Sequence, residues 1–230
     1  MNSGIPGGLI ELAVELLAVI IVGVIAFKLK TVDLKGFIAG VIVGSLILIF
    51  GGLKMFILLL TFFTLSSLAT KFKYEEKRAK GVAENKGGKR SIGNVLGNGL
   101  TLVIIPVIEY ISGSPYWILG YIGAVSAVTA DTLATEIGLL SKSKPRLITN
   151  LNKMVEPGTP GGVTLLGLMA IIASSLLIGA IAYSIGVLEG KATINIVILS
   201  SLLGGIAGST TDSIVGATLQ ALYKLSLIHI

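Results

Sequence analysis

The stretch Val163–Ile185, VTLLGLMAIIASSLLIGAIAYSI, carries no charged residue and no proline. A helix needs about 20 residues to cross the ~30 Å hydrocarbon core of a bilayer, and this stretch is long enough. Working outward from it, comparable runs recur at Leu9–Phe27, Gly36–Phe50, Leu53–Thr70, Ile92–Ile111, Tyr116–Leu140 and Ile194–Leu222. The second is short for a full crossing. The seventh is long and holds Gly204, Gly205 and Gly208, where a membrane helix can tilt or break. The expected fold is therefore all-α, a polytopic bundle of about seven transmembrane spans in a single domain over residues 1–230. Composition agrees: only 13% of residues are charged, where a soluble domain carries about a quarter. The 30 glycines suit closely packed membrane helices.

Charge placement orients the bundle. Sixteen of the 18 lysines and arginines fall after spans one, three, five and seven, leaving only Lys54 and Lys191 for the other loops. Basic loops stay cytoplasmic. The N-terminus is expected outside and the C-terminus inside, with two long cytoplasmic loops at about 71–91 and 141–162. The formal charge of +6 then follows from topology and does not call for a nucleic-acid partner. The apolar run after Met1–Gly8 lacks the basic flank and small-residue cleavage site of a signal peptide, so it is expected to stay as a helix.

An ionisable group near the bilayer centre costs roughly 2.5–3.5 kcal/mol, so carboxylates inside spans point to function. Glu11 and Glu15 sit in the opening turns of span one, where the interface accommodates them. Asp131 and Asp212 lie deeper, ~22 Å and ~27 Å along helices that both run inward, which puts them within roughly 10 Å of the cytoplasmic surface. Span four contributes Asn94, Asn98 and Thr101 (an i, i+4, i+7 stripe) at the same depth, and span three ends there in Ser66, Ser67 and Thr70. Asp131, Ala134, Thr135 and Gly138 share one helix face, and Gly205, Gly208, Asp212 and Gly216 share another. The small-residue faces also read as helix-packing surfaces. Glu136 lies about 140° around the helix from Asp131, so it is a third metal candidate on a different face.

The chain has no cysteine, and its one histidine is His229 near the terminus. Zinc hydrolysis, thiol chemistry and a Ser–His–Asp triad therefore lack their residues. Carboxylates among asparagines and threonines suit a hard cation. Magnesium takes one or two carboxylates and completes its shell with water and phosphate oxygens. Pro157-Gly158-Thr159-Pro160-Gly161-Gly162-Val163-Thr164 leads into span six, and its glycines allow backbone N–H groups to converge on a phosphate at a helix start, with Lys153 close by. It is not a Walker loop, and Gly88-Lys89 also fails that motif, with Ala83 and Arg90 at its ends. The basic loop at 71–91 reads either as ordinary contact with anionic headgroups or as a rim that attracts a polyanion.

Taken together, Asp131-x-x-Ala134-x-x-x-Gly138, Asn152-Lys153, Pro157-Gly158-Thr159-x-Gly161-Gly162-Val163, Gly208-x-x-x-Asp212-Ser213, Gln220 and Gly87-Gly88-Lys89-Arg90-Ser91 resemble the phytyl-phosphate kinase-like family of membrane-embedded, nucleotide-dependent isoprenoid kinases. More distantly they are similar to dolichol and phytol kinases and CDP-diacylglycerol synthases. The resemblance runs from about Gly87 to Gln220. It implies transfer of a phosphoryl group from CTP or another nucleoside triphosphate to an isoprenyl monophosphate. On that reading Asp131 and Asp212, with Glu136 as the third candidate, hold Mg2+. Lys153 joins the two aspartates as a catalytic residue. Lys89, Arg90, Asn94, Asn98, Asn152, Gly158, Thr159, Gly161, Gly162 and Ser213 bind nucleotide or phosphate. The expected setting is a plasma membrane with the site facing the cytoplasm, and a homo-oligomer is compatible with it. Two other readings stay open: a cytidylyltransferase acting on a lipid phosphate, and a secondary transporter with a carboxylate-lined site.

Overall fold

The structure is a computed structural model and describes residues 8–188 and 192–220. His229, Lys191 and the last two residues of the seventh predicted span lie outside them.

Six helices are long and apolar enough to cross a membrane: α1 (Leu9–Lys28), α2 (Leu34–Lys71), α5 (Ile92–Ser112), α6 (Tyr116–Gly138), α7 (Leu165–Ser184) and α8 (Ile194–Leu219). Two short helices, α3 (Tyr74–Ala79) and α4 (Asn85–Gly88), lie between α2 and α5. A continuous α2 of 38 residues would be about 57 Å long, nearly twice the hydrocarbon thickness. It is broken at Gly52, whose φ of 73° and ψ of −179° belong to a region open only to glycine. The chain reverses there. Gly36 in the first limb of α2 and Phe62 in the second both lie against Arg90, and Lys71 Nζ at the end of the second donates to the Leu29 carbonyl at 2.8 Å. Residues 34–51 and 53–71 are thus two antiparallel crossings. The bundle has the seven expected, and the short predicted second span is the first limb of this hairpin.

The odd-numbered loops gather at one end. Arg90 joins residues 31–33 through a parallel bridge to Val32, and Lys80 reaches the Leu139 carbonyl. At the other end Lys54 donates to the Gly186 carbonyl, and the Tyr121 hydroxyl, fully buried, donates to Met55 O. The core between these ends is apolar and includes Ile47, Leu48, Leu58, Leu102, Ile122 and Val125.

Helices α6 and α8 pack most closely. Gly204 lies against the backbone of Gly123, where no β-carbon fits, and the Ser200 hydroxyl donates to Leu119 O at 2.8 Å. A hydroxyl that bonds a backbone carbonyl is satisfied without water, as the bilayer interior requires. Of the face proposed on span seven, Gly205 and Gly208 are packing positions: Gly205 faces Ser175 and Ser126, and Gly208 faces Ala127.

The α6–α7 loop adds an element that periodicity does not show. It folds as a three-stranded antiparallel sheet in the order β2–β1–β3, from β1 (Arg146–Leu147), β2 (Asn150–Met154) and β3 (Gly162–Val163). Two of its strands are only two residues long, too short for an alternating pattern to register.

Candidate functional site

Two polar cavities open at the basic-loop end of the bundle. The larger, about 470 Å³, lies between α6, α7, α8 and the loop that carries the sheet. The predicted face of α6 lines it in full: Asp131, Ala134, Thr135 and Gly138. From α8 come Ser209, Asp212, Ser213, Gly216 and Gln220 at its end. Ser209 Oγ donates to Asp131 Oδ1 at 3.3 Å, and Asp212 is three residues further along the same helix, so both carboxylates border one space, Asp131 half-buried and Asp212 exposed. The close backbone contact at Gly123 and Gly204 places them there, since it fixes how α8 lies along α6.

The glycine-rich loop closes this cavity, with Gly158, Thr159, Gly161 and Gly162 on its wall. Gly161 has φ +73° and rests on α8, where an added β-carbon would lie 2.7 Å from the Ser213 carbonyl oxygen. That contact docks the loop one turn from Asp212. The loop uses two of its own amides in turns, Thr159 N–H to Glu156 O and Gly162 N–H to Thr159 O. The N–H groups of Gly158 and Gly161 have no bonded partner among the described residues. Thr164 caps α7 by accepting from Gly167 N–H, so the cavity also receives a helix N-terminus, which favours an anion.

The second cavity, about 350 Å³, lies between α6 and α5 and shares Asp131, Thr135 and Glu84 with the first. Thr70, Arg90, Asn94 and Asn98 line it, so the polar stripe of span four faces inward as expected, although Thr101 is exposed. Arg90 is held by its backbone: its N–H donates to Thr31 O and its carbonyl accepts from Asp33 N–H. The residue is only 9% exposed, its guanidinium packs over the Phe62 ring, and its Nε has no hydrogen-bond partner. No carboxylate among the described residues comes within ion-pair distance of it. Burial lowers the guanidinium pKa from its ordinary value, while the charges of Glu136 and Glu84 act in the opposite sense. A buried guanidinium without an ion-pair partner is costly, and an anion entering this cavity would relieve that cost. Asn94 Oδ1 accepts from the amide and hydroxyl of Ser91 at 2.9 and 2.7 Å, which leaves its NH2 group to donate elsewhere.

Glu136 also lines the second cavity and not the first. Its Oε2 receives Lys77 Nζ at 2.6 Å, and Lys77, fully buried, also donates to the carbonyls of Ala69 and Thr70. All three ammonium protons are engaged, so this pair ties the end of α2 to α6. Glu136 is therefore separated from the space between Asp131 and Asp212 and already occupied. Lys89, Asn152 and Lys153 line neither cavity; the last two lie exposed on β2. Sequence reasoning missed Lys77 and Glu84. Both sit in a loop whose charges read as solvated, and a six-residue helix offers no periodicity to single out its inward position.

Among the described residues there is no cluster of three or more acidic or histidine side chains able to hold a metal by themselves. Two carboxylates with Ser209, Ser213 and Thr135 around them fit an ion that takes its remaining ligands from water and phosphate, as magnesium does.

The family model described as "Integral membrane protein DUF92" matches residues 17–226. The chain belongs to this family. An uncharacterized membrane protein of Methanocaldococcus jannaschii is 37% identical over 96% of this chain and 89% of its own length. Protein PGR of Arabidopsis thaliana is 36% identical over 88% of this chain and 78% of its own. Protein VTE6, chloroplastic, from the same plant, is 26% identical over 81% of this chain and 56% of its own. No solved structure matches the chain.

Proposed function

We propose that this DUF92 protein is an isoprenyl-phosphate kinase of the membrane, transferring the terminal phosphoryl group of CTP or another nucleoside triphosphate to a polyprenyl monophosphate. The observation that carries the reading is the meeting of the two cavities at Asp131, one walled by an anion-suited glycine loop and the other holding an unpaired buried arginine. Two phosphate-bearing reactants each require such a place, and they must meet at one point. The motif resemblance to the phytyl-phosphate kinase-like family supports the same assignment.

The nucleotide phosphates would lie against Gly158, Thr159, Gly161 and Gly162 beside the N-terminus of α7. The acceptor phosphate would be held by Arg90 and Asn94, with Asn98 adjoining. An oxygen of the acceptor attacks the γ-phosphorus, the bond from that phosphorus to the β–γ bridging oxygen breaks, and a nucleoside diphosphate leaves. The acceptor is already an anion, so no strong general base is needed, and the work is positioning and charge neutralisation. That fits a site with no histidine among the described residues. A magnesium ion bound by Asp131 and Asp212 would supply neutralisation of the phosphate charge. The basic end of the bundle would face the cytoplasm, where nucleotide is available.

Purified protein given magnesium, geranylgeranyl or phytyl monophosphate and each triphosphate in turn should form the prenyl diphosphate. Product that retains CMP would make it a cytidylyltransferase. No product with any triphosphate, or undiminished product from Asp131→Asn, would end the kinase assignment.

A further inference from the structure

One groove remains outside the chemistry described above. It is almost wholly apolar and runs between α1, both limbs of α2 and α5, with Val19, Gly23, Phe37, Gly40, Phe56 and Phe63 among its walls. Two of its lining residues are polar: Arg90 and Asn94, the same two side chains that line the second polar cavity. An apolar channel thus opens onto a buried guanidinium whose Nε is unpartnered and onto an asparagine with donors to spare. The groove extends from Gly36 at the basic end to Gly44, eight helical residues or about 12 Å toward the bilayer middle. Its outer wall is α1, which packs chiefly on α2 and turns most of its large apolar side chains outward.

We propose that this groove holds the first isoprene units of the lipid substrate, with the phosphate on Arg90 and Asn94 and the rest of the tail passing out beside α1. The assignment rests on the kinase reading for the identity of the headgroup. The chemistry of the occupant follows from the walls: hydrocarbon along 12 Å, then an anion at one end. A neutral lipid would leave Arg90 unpaired, and a water-soluble phosphate would leave the groove without apolar filling. Gly40 is the position from which to obstruct it, because a β-carbon added there meets nothing within 4 Å. A larger side chain at that position would occupy the groove without displacing backbone.

Two measurements test this. In the first, Gly40→Phe is compared with wild type on geranylgeranyl monophosphate and on a five-carbon prenyl monophosphate. The KM for the long acceptor should rise at least tenfold, and by a larger factor than the KM for the short acceptor, with the nucleotide KM unchanged. An unchanged long-chain KM overturns the proposal. In the second, the wild-type protein is photolabelled in nanodiscs with a diazirine-bearing geranylgeranyl monophosphate, without nucleotide. Labelled peptides should come from α1 and α2 around Gly23, Phe37 and Phe63, and geranylgeranyl monophosphate should displace the label while geranylgeraniol does not. Labelling elsewhere, or equal displacement by the alcohol, overturns the groove assignment. Labelling in the groove from a protein that makes no diphosphate would sink the kinase reading and leave the groove standing, so the two failures are distinct.

Discussion

The bundle has two halves built on different principles. In the α6–α7–α8 half, backbones touch: Gly204 meets Gly123, Ser200 and Ser201 bond carbonyls of neighbouring helices, and Val125, Thr129 and Ala130 are fully buried. In the α1–α2–α5 half, α2 and α5 pack on each other through Ile47, Leu58 and Leu102, but a groove opens between them and α1, which buries only Val19 and Ala26 among its described side chains. On the kinase reading, the close packing of the half that carries Asp131 and Asp212 suits carboxylates that must be held to a fraction of an ångström. The half that would receive a hydrocarbon tail has no such demand, since apolar contact is non-directional. On the kinase reading, the difference in packing would be a division of labour between positioning and accommodation.

The seam between the halves is the Lys77–Glu136 pair, and breaking it gives the largest expected loss of stability. Lys77→Met leaves a buried carboxylate without its cation, which costs about 3–5 kcal/mol. Thermal unfolding in detergent should show it, and adding Glu136→Gln should recover most of the loss. Asp131→Asn leaves the packing of the rigid half intact while removing charge at its centre. Turnover should fall about 10²–10³-fold, as when a preorganised transition-state contact is lost, with little change in unfolding temperature.

A matched pair of glycine substitutions tests the comparison itself. Gly204→Leu drives a side chain into the Gly123 backbone and should destabilise by about 1–3 kcal/mol or more. Gly40→Leu enters open groove and should stay within about 0.5 kcal/mol of wild type. Similar losses from both would mean that the halves are packed alike. The smallest effect lies at the edge of the open half. The Lys86 ammonium and then the Gly36 amide hold the Asp33 carboxyl below its ordinary value. A depressed carboxylate contributes stability above its unfolded pKa and loses it as pH falls through the lower folded one. Lys86→Ala should therefore lower stability slightly and by the same amount across pH 5–8, and the difference from wild type should disappear in acid as Asp33 protonates.

How much of this was legible in the chain depends on the kind of signal. The apolar runs and the basic-loop count led to seven crossings, including the reversal at Gly51-Gly52, because the bilayer imposes length and polarity on each span. The face Asp131, Ala134, Thr135, Gly138 was readable from helical spacing alone. The matching face on α8 was half right: Asp212 and Gly216 line the cavity while Gly205 and Gly208 pack, and small residues serve both purposes with the same spacing. The sheet, the inward turn of Lys77 and the place of Glu84 between the cavities had no periodic signal. Each depends on how a loop folds back on distant helices. Arg90 was singled out only by the motif resemblance, together with Lys89, and its burial was not legible because it comes from the bridge to residues 31–33.

The central claim is that Asp131 and Asp212 share one divalent ion with substrate phosphate. Electron paramagnetic resonance with Mn2+ in place of Mg2+ tests it directly. The expected result is a bound manganese signal that gains phosphorus hyperfine coupling when nucleotide is added, and that disappears in both Asp131→Asn and Asp212→Asn. A signal retained in both variants, or one that never senses phosphorus, would contradict the account.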